Sequence, residues 1–253
     1  MNREPRDAAL TQDRLLGGLV RFAQPASGYR VAIDPVLLAA AVPARAGESV
    51  LELGSGAGAA ALCLAARVPK CRIVGIERDP ALVDIATANA AANSLDDRVR
   101  FVVGNIADSM PEIPAGAFDH AFANPPYLEA ARADLRVAGP PGRDAAEIEG
   151  ETPLDTWLAQ LCRAVRPKGR IALIQRADRL DDILVGLDRR AGEIAVLPLW
   201  PKSGVAARRV IVSARPGTAS PLRLLPGLVL HDADGAYSAE AAAILYDAAP
   251  LAL

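Results

Sequence analysis

Apolar and polar positions change period in blocks along this chain. Short, nearly continuous apolar runs at 49–53, 72–77, 99–103, 118–123, 169–175, 193–198 and 207–214 read as strands. Stretches at 36–42, 59–67, 80–93, 154–165, 178–188 and 238–247 carry the apolar spacing of helices. Strand and helix alternate, which predicts an α/β fold built on a seven-stranded, mostly parallel sheet with helices on both faces. Ligands of such sheets bind at the carboxyl ends of the strands. No helical run separates the last two strands, so they are expected to form an antiparallel terminal hairpin. Asp34-Pro35 has the pattern of an N-cap followed by a first-turn proline, ahead of the core stripe Val36, Leu37, Leu38, Ala41 and Val42.

At 253 residues, 51% hydrophobic and 23% charged, the chain is expected to bury its core as one domain. Within it, 1–48 is expected to be an N-terminal extension packing near the ligand site, and 216–253 a C-terminal extension. No apolar run reaches bilayer length and residues 1–14 are charged and polar, so neither a membrane anchor nor a secretory signal is expected. A cytoplasmic location is the default. Cys63, Cys71 and Cys162 lack the paired spacing of a zinc site and read as reduced structural thiols. His120 and His231 have no partner at metal spacing, so no metal is expected.

Two segments carry candidate chemistry. Asn124-Pro125-Pro126-Tyr127 follows the apolar run 118–123, which places a rigid, polar-then-aromatic knuckle at the end of a strand. Taken alone, Asn-Pro and Pro-Pro also mark an ordinary turn. Neither proline donates a backbone hydrogen bond, so the main chain cannot continue a ladder and its carbonyls are left to accept. The Asn124 side-chain oxygen and the Pro125 carbonyl are two acceptors, and Tyr127 is a face for a planar group to stack on. That set suits a flat exocyclic NH2. The second segment is Val50-Leu51-Glu52-Leu53-Gly54-Ser55-Gly56-Ala57-Gly58, a strand entering a glycine turn from which the helix 59–67 leaves. Gly54 and Gly56 permit a sharp turn and close approach of a ligand, and Gly58 lets helix and strand pack. Glu77 ends the next strand, 19 residues after Gly58, the separation at which an acid accepts from ribose hydroxyls. With Ala59 the turn also fits the dinucleotide pattern of a nicotinamide enzyme. Against that, Glu52 suits a cationic ligand end better than a pyrophosphate, and the knuckle has no role in hydride transfer.

On these residues, together with the N-terminal stretch 24–38, the chain resembles the class I S-adenosylmethionine-dependent methyltransferases. It is most similar to the small-domain branch that holds the bacterial tRNA adenine-37 N6-methyltransferases acting on valine tRNA. The resemblance runs from about residue 24 to 246 and implies a Rossmann-like sheet and S-adenosylmethionine as cofactor. It implies that Gly54, Gly56 and Gly58 line the cofactor, with Glu52 at its amino-acid end and Glu77 on its ribose. Asn105 and Ile106 follow the strand 99–103 where relatives usually carry an acid that meets the adenine amino group. Here an asparagine oxygen would accept the same hydrogen bond without charge assistance. The catalytic set implied is Asn124, Pro125, Pro126 and Tyr127. Acceptors on both hydrogens of an adenine N6 favour a pyramidal nitrogen, so no strong general base is needed. Tyr127 would stack on a base swung out of its strand.

The substrate is less determined by the motif than the reaction. RNA, tRNA in particular, is the expected partner, and the oligomeric state is unassigned. A protein glutamine amide, as in the release-factor methyltransferases, offers the same NH2, and a small molecule is a further alternative. The formal charge of −2 does not mark a nucleic-acid binder, yet residues 160–223 hold 13 Lys+Arg against 5 Asp+Glu. Arg208 and Arg209 are expected to meet phosphates there, with simple surface solvation as the alternative. Tyr29 and Arg30 are candidates for a contact on the cofactor side. Residues 129–151, with Arg132, Arg136 and Arg143, are expected to form a loop that orders over the substrate or merely stays solvated.

Overall fold

All seven expected strands share one sheet in a computed structural model, which describes residues 9–27, 30–129, 148–149 and 152–253. In chain order they are β3 (Ser49–Leu53), β4 (Arg72–Glu77), β5 (Val99–Val103), β6 (Phe118–Ala123), β9 (Val165–Arg176), β10 (Ala191–Lys202) and β11 (Arg209–Pro216). β6, β3, β4 and β5 lie side by side and parallel, and β9 continues the parallel set beyond β6. β11 then pairs antiparallel with both β9 and β10, the expected terminal hairpin. Two short strands, β12 (Arg223–Leu224) and β13 (Leu228–His231), add to the outer edge of β10 and bring the sheet to nine strands among the described residues.

The chain steps outward from β3 through β4 to β5, then returns to the other side of β3 as β6. That reversal opens a crevice at the carboxyl ends of β3 and β6. Leu53 and Ala123 are register partners, so Gly54 and Asn124 leave adjacent strands at the same level. The two chemical motifs, seventy residues apart in sequence, are thereby placed side by side.

Alternate residues of the buried strands feed apolar layers on opposite faces. Phe122 joins Leu37 and Leu38 of α1 (Asp34–Ala41), Leu62 and Leu64 of α2 (Ala59–Arg67), and Val83 of α3 (Pro80–Ala92). Ala121 and Ala123 face Leu158 and Leu161 of α4 (Leu154–Ala164) and Ile183 of α5 (Leu180–Leu187). Every residue of α1 is buried, which is why its sequence is apolar on all sides apart from Asp34. The last helix, α6 (Ala239–Asp247), begins at Ser238, whose hydroxyl accepts from the Ala241 N–H. Among the described residues no helix is long and apolar enough to cross a membrane.

An N-terminal hairpin of β1 (Leu10–Leu15) and β2 (Val20–Pro25) departs from the sequence expectation, which assigned no strand there. Val20, Phe22 and Gln24 point inward along β2. The free backbone edge of β2 is completed by two side chains at the C-terminal end of α3, Asn89 within the helix and Asn93 at its C-cap. Asn89 accepts from the Ala23 N–H at 2.8 Å and donates to its carbonyl at 2.8 Å, while Asn93 does the same for Arg21 at 2.8 and 2.7 Å. Residues four apart at the end of a helix, the second of them its C-cap, thus match residues two apart on a strand, and the amides stand in for a missing strand. Asn89 also donates to the Ala57 carbonyl at 3.0 Å, tying the hairpin to the glycine turn.

Candidate active site

A cavity of about 420 Å³ lies over the carboxyl ends of β3, β4 and β6. Glu52, Gly54, Gly56, Glu77, Asn105, Ile106, Asn124, Pro125, Pro126 and Tyr127 all line it. Gly58 does not. A Cβ there would meet Phe101 at 2.7 Å and Ala86 at 3.3 Å, so this glycine serves the packing of α2 and α3 on β5. The glycine turn runs through left-handed backbone, φ +67° at Gly54 and +53° at Gly56. A Cβ on Gly54 would strike the Trp157 ring at 2.6 Å, whereas one on Gly56 meets nothing within 4 Å. The first position holds the turn against α4 and the second leaves backbone open to a ligand.

Two acidic side chains, Glu52 and Glu77, stand on the β3–β4 side of the cavity. Glu52 is 3% exposed, and its Oε2 accepts from the Ala61 N–H in the first turn of α2 at 3.0 Å. Burial pushes its pKa well above the usual carboxylate range; that N–H opposes the shift and the neighbouring Glu77 adds to it. A cationic group at this spot would relieve the cost. Glu77 holds the loop itself, accepting from the Gly56 N–H at 2.9 Å and the Asp79 N–H at 3.1 Å through different oxygens. A carboxylate has about four lone-pair sites, so capacity is left for hydroxyl donors. Asn105 Oδ1 accepts from the Ala107 N–H at 3.1 Å in a local turn, and Ile106 is buried beside it.

On the opposite side, Asn124 Oδ1 is buried with no hydrogen-bond partner. An orphaned buried acceptor is costly unless a ligand satisfies it. Behind the knuckle, the fully buried Gln175 donates to the Pro126 carbonyl at 3.1 Å and accepts from the Arg176 N–H at 2.9 Å. Sequence reading missed Gln175, although a glutamine at the end of an apolar strand run was a signal. It missed Trp157 as well, which sits within an ordinary amphipathic helix pattern.

Asp34 corrects its own reading. The helix cap is Ile33, and Asp34 makes no capping bond. Instead it is 3% exposed, accepts from the Tyr127 hydroxyl at 2.5 Å, and forms an ion pair with Arg209. The Arg209 guanidinium also lies over the Tyr127 ring, 5.6 Å from its centroid. Arg209 is therefore held by Asp34 and Tyr127, with its side chain 37% exposed. Arg208 is exposed and lies just before β11.

Much of the basic surplus at 160–223 is answered by acids in the same way. Arg166 pairs with Asp119, Arg170 and Arg215 with Glu193, Arg176 with Asp178, Arg179 with Asp182 and Arg190 with Asp155. Arg30 bonds Asp13 at 3.0 Å and does not line the cavity, although Gln24, Pro25, Ser27 and Val31 of its segment do. Tyr29, Arg132, Arg136 and Arg143 lie outside the described residues, as does most of 129–151. Of that segment, β7 (Leu128–Glu129) and β8 (Ile148–Glu149) form a short parallel pair. Among the described residues no group of His, Cys, Asp and Glu is arranged to hold a metal.

Comparison with known proteins supplies an independent line. The sequence profile of a methyltransferase domain matches residues 44–189. A tRNA1(Val) (adenine(37)-N6)-methyltransferase of Porphyromonas gingivalis is 33% identical over 231 residues, 86% of this chain and 87% of that protein. One from Aeromonas hydrophila is 32% identical over 219 residues, covering 83% and 85%. A release factor glutamine methyltransferase of Deinococcus radiodurans is 35% identical over 130 residues, 49% of this chain and 44% of that protein. Among solved structures, a predicted O-methyltransferase from Agrobacterium tumefaciens matches the fold with a TM-score of 0.72 at 21% identity, over 87% of this chain and 99% of that one.

Proposed function

The chain belongs to the S-adenosylmethionine-dependent methyltransferase family, and we propose that it methylates an exocyclic amino nitrogen, the N6 of an adenine in tRNA. The observation that carries this reading is Asn124, which lines the same cavity as the glycine turn and whose Oδ1 is a buried acceptor without a hydrogen-bond partner. An NH2 group is the donor that such an acceptor lacks. Support for tRNA over a protein amide comes from coverage. The tRNA-modifying relatives match more than four-fifths of this chain, and the amide-modifying relative about half.

The cofactor fits the residues present. The buried Glu52 carboxylate would meet its ammonium, Glu77 its ribose hydroxyls, and the open backbone at Gly56 its close approach. Asn105 and Ile106 would flank its adenine. When bound, S-adenosylmethionine supplies an electrophilic methyl group on a sulfonium. The chain's own part is to bind, orient and accept. Asn124 Oδ1 and the Pro125 carbonyl take the two hydrogens of the target amine, whose lone pair is otherwise delocalised into the ring. These acceptors stabilise the positive charge that develops on nitrogen, so no general base has to act before transfer, and the methylated nitrogen then releases one of its two hydrogens as a proton to solvent. Tyr127 stacks on the target ring and sets its plane.

Asn124→Ala tests the assignment. Methyl transfer to tRNA should be lost while S-adenosylmethionine affinity stays within a few-fold of wild type. Parallel loss of both would overturn the role given to Asn124.

A further inference from the structure

A buried carboxylate in the first turn of an otherwise wholly apolar helix needs an explanation. Capping does not provide it, because Asp34 makes no capping bond. The helix dipole favours an acid there by only about 0.3–1 kcal/mol at an exposed site, which does not offset removing a charge from water. What Asp34 touches does explain it. Tyr127, 93 positions along the chain, donates its hydroxyl to Asp34 Oδ2, and Arg209 from β11 balances the carboxylate.

Resting on the reading of Tyr127 as the platform for the target base, we propose that Asp34 and Arg209 are positioning residues that lock the Tyr127 ring in its stacking orientation. The tyrosine is held at both ends. At its backbone end, two prolines fix the preceding φ angles, and Gln175 holds the Pro126 carbonyl at 3.1 Å. At its far end the hydroxyl is bonded to a carboxylate that cannot move, since Asp34 is set in a helix whose every residue is buried. Arg209 packs over the ring at 5.6 Å and pairs with the same carboxylate. A tyrosine bonded at both ends loses the ring rotation that a free one would have to give up when a base stacks on it. Orientation is then set before the substrate arrives, and this is the part of the barrier that positioning lowers. Asp34 and Arg209 do not line the cavity, so they act through Tyr127 and not on the substrate.

The competing account is that the ion pair merely ties α1 to β11. Four variants separate the two accounts: Tyr127→Phe, Asp34→Asn, Arg209→Lys and the double variant Tyr127→Phe/Asp34→Asn. Each is assayed with total tRNA from a strain lacking the gene, as kcat and KM for RNA, beside S-adenosylmethionine affinity and Tm. Tyr127→Phe is the decisive one, because it keeps the ring and disturbs no charge. Its kcat should fall roughly tenfold, the loss for one hydrogen bond to a charged group, with cofactor affinity within twofold. The double variant should be no worse than twofold below the weaker single variant, since both break the same Tyr127–Asp34 link. Arg209→Lys, which keeps the charge, should retain more activity than Asp34→Asn. A wild-type kcat for Tyr127→Phe, or losses that multiply in the double variant, would overturn the proposal. Label entering protein rather than tRNA would fail the substrate reading instead, and the same ratios read on that protein fraction would still decide the lock.

Discussion

Replacing Glu52 by glutamine should move two measurements in opposite directions. Glu52 is 3% exposed, accepts one backbone hydrogen bond from Ala61 at 3.0 Å, and faces repulsion from Glu77, so burial holds its pKa well above the ordinary range. A carboxyl raised in the folded state contributes stability that is fully present below its unfolded pKa and is lost as pH rises through the folded value. The ligand-free enzyme should therefore lose stability on the alkaline side, where folding keeps an anion out of water. Glutamine conserves the size and the acceptor for Ala61 and has nothing to ionise. If the amide recovers ~1 kcal/mol, Tm at about pH 8 rises by roughly 2–4 °C for a chain of this size. The gain should vanish as pH falls toward the unfolded carboxyl value. Cofactor binding should go the other way. Losing the charge-assisted bond to an ammonium costs about 1.5–3 kcal/mol, or roughly 10–150-fold in Kd. Thermal scans across acid to alkaline pH, with titration calorimetry for S-adenosylmethionine, measure both. A ligand-free variant less stable than wild type at alkaline pH, or an unchanged Kd, would refute the reasoning.

Two further changes probe how the site is held. Gly54→Ala puts a Cβ on backbone at φ +67° and into the Trp157 ring at 2.6 Å, so it should cost about 1–2 kcal/mol from conformation alone and weaken cofactor binding as the turn shifts. Denaturant melts and Kd measure it, and full stability with native affinity would contradict the close packing seen. Asn89→Ala removes the bonds to Ala23 and Ala57 and leaves buried backbone groups unpaired, a loss of roughly 1–3 kcal/mol. Hydrogen exchange at β2 should quicken far more than at β3, and uniform protection would show that the asparagine does not carry that edge.

The parallel sheet was readable because its central strands are largely buried and appear as short, nearly continuous apolar runs. The glycine turn and the knuckle were readable because their backbones demand special residues, glycine at positive φ and proline where no donor is wanted. Asp34 was not, because its local context is that of a cap while its meaning lies in Tyr127 and Arg209, which only the closed sheet brings near. The N-terminal hairpin was missed for a related reason. Its edge is finished by Asn89 and Asn93, which in sequence are two polar positions of a helix. Charge counting along 160–223 does not show how those arginines are paired, since partners such as Asp34, Asp119 and Asp155 come from outside the segment. Local rules recover elements and motifs here, and the residues that orient the motifs are fixed by contacts far apart in the chain.

The central claim is tested most directly by methyl transfer from labelled S-adenosylmethionine to total RNA and total protein of a strain lacking the gene, with digestion to identify the modified unit. The account predicts N6-methyladenosine in the tRNA fraction, absent with Asn124→Ala. Label found only as methylglutamine in protein would contradict it.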